Sequence, residues 1–101
     1  HGGSYDVSKQ AIMGLTRALA TEWGKFGINV NAIAPGYFLT DPNKEYFEKY
    51  PGFYEEALSM IPIGKMSEPD NLAGTMLYLC TKASDYVHGV VVFVDGGYTI
   101  W

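Results

Sequence analysis

Apolar side chains between Tyr5 and Trp23 return at helical intervals, with Ile12, Leu15, Leu19 and Trp23 on one face. Gly24 and Gly27 then stop the run. The spacing predicts a helix over 5–23. In "INVNAIAPG", Ile28, Val30, Ala32 and Ala34 alternate with Asn29, Asn31 and Ile33 until Pro35 and Gly36 break the pattern, which predicts a strand over 28–34. Residues 37–62 lose both periods. Aromatic and charged residues with two internal prolines predict short helices in a connecting excursion. Periodicity returns after Pro69, where Leu72, Met76 and Leu79 predict a helix over 70–81. A β-branched run bounded by glycines, "GVVVFVDGG", predicts a strand over 89–95 buried on both faces. The order helix, strand, excursion, helix, strand suits an α/β fold with a parallel sheet.

Composition narrows the function classes. The 101 residues are 48% apolar and 18% charged, the make-up of one compact domain or part of one. Seven basic residues and a formal charge of -4 argue against a nucleic-acid surface, which clusters Lys and Arg on one face. No apolar run reaches the length of about 20 residues that a membrane span needs. Cys80 is the single cysteine, so no intrachain disulfide can form. A buried inert thiol and a reducing, cytoplasmic location are the expectations. His1 and His88 stand apart without a Cys or carboxylate pattern of ligand spacing, so no metal is expected. Glu45, Glu48, Glu55 and Glu56 read as solvated helix faces.

The chemistry concentrates in "SYDVSK", residues 4–9. At i and i+4 of a helix, Tyr5 and Lys9 share a face with Cβ atoms about 5–6 Å apart. A free phenol titrates near pH 10, and a neighbouring cation favours its ionised form. Such a phenol can give a proton to a carbonyl oxygen, or take one from an alcohol, as hydride moves at the adjacent carbon. An amphipathic helix with a solvated Tyr and Lys has the same spacing, so the pair alone decides nothing.

Four segments together resemble the short-chain dehydrogenase/reductase family. They are "YDVSKQAIMGLTRALATEWGK", "GINVNAIAPGYFLT", "IPIGKMSEPDNLAGTMLYLC" and "ASDYVHGVVVFVDGG", in that order. The resemblance implies the C-terminal portion of a Rossmann-like, doubly wound parallel sheet, with 1–101 part of a single NAD(P)-binding domain. It makes Tyr5 the acid/base, with Lys9 tuning the phenol and holding the nicotinamide ribose. Pro35, Gly36 and Phe38 would border the nicotinamide, and Thr40 would lie near its carboxamide. Tyr37 and residues 41–61 would belong to the substrate loop. The cofactor would be NAD or NADP, and the enzyme a homo-oligomer acting on a small alcohol or ketone. "VDGGYTIW" is most similar to members that interconvert polyols, sugars or sugar acids with their keto forms. A 3-oxoacyl-thioester reductase is the alternative within the family.

The family's glycine-rich phosphate turn is expected before His1, since no Gly-x-Gly occurs in the chain. The family's additional catalytic Ser and Asn would also precede His1, and Ser4 is given no role. The chain is therefore expected to be the C-terminal part of a longer enzyme, and inactive on its own. Were it complete as given, its exposed strand edges would suit a non-catalytic assembly or binding module instead.

Overall fold

The computed structural model describes residues 3–37 and 39–100, with the backbone alone for 3–6. The chain divides into two compact units, His1–Ile33 with Tyr78–Val92, and Ala34–Leu77 with Phe93–Trp101.

In the first unit, helix α1 runs from Gly3 to Trp23 and passes into one 3-10 turn, Gly24–Phe26. Its packed face differs from the large-residue stripe that the periodicity singles out. Ile12, Leu15 and Trp23 are exposed, whereas Thr16 and Ala20 are buried and Lys9, Met13 and Leu19 half-buried. At about 100° per residue, positions 9, 13, 16 and 20 form one line. Small side chains on that line let other backbone come close: a Cβ on Gly89 would sit 3.3 Å from that of Ala20. His88 secures the helix end. Val30 N–H donates to its Nδ1 at 3.2 Å, so its Nε2 carries the proton and donates to Ala20 O at 2.6 Å. Ala20 O is among the last carbonyls of α1, which lack partners within the helix.

Strand β1 is shorter than the alternation suggests, Ala32–Pro35 in place of 28–34. Residues 29–31 run beside the irregular segment 85–90, where Gly89 N–H donates to Val30 O at 2.8 Å and side-chain amides add the remaining bonds. Asn29 Nδ2 donates to Asp85 O and Asn31 Nδ2 to Val87 O, both at 3.0 Å, and Val90 N–H donates to Asn31 Oδ1 at 3.2 Å. Strand β2 is Val91–Val94, and it pairs with β1 in a two-stranded sheet. Ala32 N–H donates to Val90 O and Gly36 N–H to Val94 O. Both donors and acceptors advance four residues in the same sense, so the strands are parallel. Pro35 falls between the donating positions, and its missing N–H leaves this pairing intact.

The second unit holds the excursion, as helices α2 (Asp41–Lys49) and α3 (Pro51–Ser59). Each has a proline in its first turn, where an N–H would have no partner. Phe47, Ala57, Ile61 and Met66 form the buried cluster, with Tyr37, Leu39, Tyr54, Leu58 and Tyr98 packed on it. Phe47 stacks on Phe53 at 6.0 Å and meets Tyr54 at 5.2 Å, tying the two helices together. Helix α4 runs from Pro69 to Leu79, two residues short of the expected end at 81. Thr81 stops it by donating its N–H and its hydroxyl to Tyr78 O, at 3.2 and 2.9 Å. Cys80 follows α4 and is exposed, against the expectation of a buried thiol.

Candidate functional site

Positions 5 and 9 both lie on α1, four residues apart on one continuous helix. Lys9 is half-buried, and its line through 13, 16 and 20 is the packed face of the helix. Stepped back one turn, the line reaches position 5. The two positions are thus neighbours on one helix, one turn apart. The side chain of Tyr5 is outside the described residues.

The other expected site residues belong to the second unit. Pro35 ends β1, and Gly36 follows it with its N–H on Val94 O at 3.0 Å. Tyr37 is half-buried, and two backbone bonds hold the segment around it to residue 67: Ser67 N–H donates to Tyr37 O at 3.0 Å, and Leu39 N–H to Ser67 O at 2.9 Å. Phe38 lies outside the described residues. Thr40 stands at the N-terminus of α2 in an extended conformation, exposed, and its hydroxyl makes no capping hydrogen bond. A threonine there ordinarily caps its helix. This hydroxyl can instead donate to and accept from a carboxamide, so the donor set present fits that end of a nicotinamide. The structure thus brings Pro35, Gly36, Tyr37 and Thr40 into one unit, and places Tyr5 and Lys9 in the other.

Beside Tyr37 is a cavity of about 240 Å³. Ile61, Ile63, Met66 and Val94 supply apolar wall, and Lys65, Ser67, Asn71 and Asp95 supply polar groups. Ser67 Oγ is buried and has no hydrogen-bond partner among the described residues. An orphaned buried hydroxyl costs about 1–3 kcal/mol, which a bound polar group would relieve. None of Lys65, Ser67, Asn71 and Asp95 stands out in the sequence. Asp95 has a legible signal of another kind, because Asp followed by Gly-Gly is turn chemistry. Ser67 has none. Among the described residues, no group of three or more His, Cys, Asp and Glu side chains could hold a metal ion, and no helix is long and apolar enough to cross a membrane.

A family model described as enoyl-(acyl carrier protein) reductase matches residues 1–99. The chain belongs to the short-chain dehydrogenase/reductase family. Among its relatives in that family, the galactitol 2-dehydrogenase (L-tagatose-forming) of Cereibacter sphaeroides is 46% identical over 98 residues, covering 97% of this chain and 38% of the relative. The 2-dehydro-3-deoxy-D-gluconate 5-dehydrogenase of Dickeya dadantii is 47% identical over 95 residues, covering 94% and 37% respectively. A gluconate 5-dehydrogenase from Burkholderia cenocepacia, solved with NADP and tartrate, superposes with a TM-score of 0.85 at 34% identity, over 98% of this chain and 38% of that one. Against such short-chain dehydrogenases, the chain spans less than two-fifths of the relatives' length. The parallel strand pair with its helices is thus part of a Rossmann-like α/β fold.

Proposed function

We propose that this chain carries the acid/base and nicotinamide-facing half of an NAD(P)-dependent oxidoreductase acting on a polyol, sugar or sugar acid. The observation that carries the reading is that positions 5 and 9 lie one turn apart on the continuous helix α1, with Lys9 half-buried. The dehydrogenases of polyols and sugar acids among the relatives support the substrate class. NADP in a superposable structure supports the cofactor.

A bound nicotinamide cofactor would supply the hydride acceptor in its oxidised form and the hydride donor in its reduced form. The Tyr5 phenolate oxygen takes the proton of the substrate alcohol in oxidation, and the resulting phenol gives a proton to the carbonyl oxygen in reduction. Lys9 favours the ionised phenol by its positive charge and holds the nicotinamide ribose. Pro35, Gly36 and Phe38 border the nicotinamide, and the Thr40 hydroxyl meets its carboxamide. Tyr37 contacts the substrate, next to the cavity it shares with Ser67. We assign the enzyme to the cytoplasm on its single cysteine, and to a homo-oligomer on the family's habit of two-fold assembly.

Replacing Tyr5 by Phe removes only the ionisable hydroxyl. In the intact enzyme, turnover should fall by a factor of about 10²–10⁴ while NAD(P) affinity stays nearly unchanged. Steady-state kinetics with a polyol, beside calorimetric titration of the cofactor, reads both. Substantial turnover in Tyr5→Phe would refute the assignment.

A further inference from the structure

The turn after β2 contains a buried carboxylate that the chemistry above leaves unused. Asp95 is 9% exposed. Its Oδ1 accepts the Gly97 N–H at 3.0 Å, its Oδ2 accepts the Thr99 hydroxyl at 2.8 Å, and its backbone oxygen accepts the Tyr98 N–H at 3.1 Å. All three donors lie within four residues, so the carboxylate folds 95–99 onto itself. A carboxylate withdrawn from water this far is costly unless its oxygens are bonded, which ties the burial of Asp95 to the two donors.

Two segments of the proposed site rest on this turn. Gly36 approaches so closely that a Cβ there would lie 2.7 Å from Asp95 Cβ and 2.9 Å from its Cα. The next residue, Tyr37, meets the ring of Tyr98 edge-on, with centroids 5.5 Å apart and planes at 85°. On the other side, Ile63 N–H donates to Gly96 O at 3.0 Å. Gly96 has φ of +63°, and a Cβ on it would lie 2.7 Å from Ile63 and 2.8 Å from Ile61. The residues that border the nicotinamide and the residues that end the substrate excursion are thus registered against one folded turn. The Asp95 carboxylate keeps that turn folded.

We infer that Asp95 and Thr99 are positioning residues, which set Gly36, Tyr37 and the 61–63 segment in the geometry that binds cofactor and substrate. The inference rests on the function proposed above. It adds a pair of side chains that act through the backbone of their neighbours.

Thr99 tests it most cleanly. Thr99→Val keeps the shape and removes the donor to Asp95 Oδ2; Thr99→Ser keeps the donor. In the intact enzyme, Thr99→Val should raise the calorimetric Kd for NADP and the KM for the polyol on the order of tenfold each, the scale of effect that a small misplacement produces. The pH profile of kcat should keep its shape, because the acid/base is untouched. Thr99→Ser should restore both constants to near wild-type values. A purely structural role predicts a lower melting temperature with Kd and KM unchanged, and that result would overturn the inference while leaving the function standing. Failure of Thr99→Ser to restore them would overturn it too. Absence of NAD(P)-linked turnover in the wild-type enzyme would instead remove the proposed function, and the inference with it.

Discussion

At the scale of single residues, the site depends on groups whose value comes from a neighbour. Lys9 has two proposed duties, the charge beside the phenol and the hold on the ribose. Lys9→Met should therefore raise the NAD(P) Kd and lower kcat together, unlike Tyr5→Phe, which should spare the Kd. An unchanged cofactor affinity, read by calorimetry, would remove the second duty. The identities of Tyr5 and Lys9 and their spacing are legible in six residues of sequence, because both sit on one short helical segment. Ser67 and Asp95 are not legible in that way. A serine or an aspartate acquires meaning only when folding removes its water, and these two are approached by segments distant in sequence, Tyr37 and Leu39 at Ser67 and Gly36 at Asp95.

Among the elements, the helices are the most legible and their packed faces the least. Periodicity alone points to Ile12, Leu15, Leu19 and Trp23 as the inward stripe of α1, yet only Leu19 is half-buried, the other three are exposed, and Thr16 and Ala20 are buried. Where α1 meets Gly89 the fit is steric, since close approach of another backbone favours a side chain as small as that of Ala20, and hydropathy does not register that. The excursion shows the converse. It lacks a clean period in the sequence, but α2 and α3 form a helix pair because Phe47 has Phe53 and Tyr54 to pack on. Phe47→Ala should cost about 3–5 kcal/mol, the usual range for a buried Phe, measured as a shift of the denaturant midpoint in the intact enzyme. A shift below about 1 kcal/mol would mean that the cluster collapses around the gap. His88 works between elements. His88→Ala leaves Ala20 O and the Val30 N–H without their partner and should cost about 1 kcal/mol by the same measurement, the smaller value reflecting access of water to both groups.

At the scale of the whole molecule, the chain belongs to the short-chain dehydrogenases and spans less than two-fifths of its relatives. The 101 residues produced alone should show no NAD(P)-dependent turnover of the proposed substrate class, read as the change in nicotinamide absorbance. Retained turnover by the isolated chain would contradict that expectation. The amino-acid sequence by itself determines the family, the α/β class and the spacing of the Tyr5–Lys9 pair. Those properties are written in local patterns, helical spacing, β-branched runs and a short motif, that need no distant partner to be recognised. Tertiary structure alone decided where β1 begins to pair, which face of α1 is packed, and that Gly36, Ile63 and Tyr98 converge on the turn at Asp95. Each of these is a contact between residues brought together by folding, chosen by shape and by which buried polar groups find partners. A one-dimensional pattern carries neither kind of information.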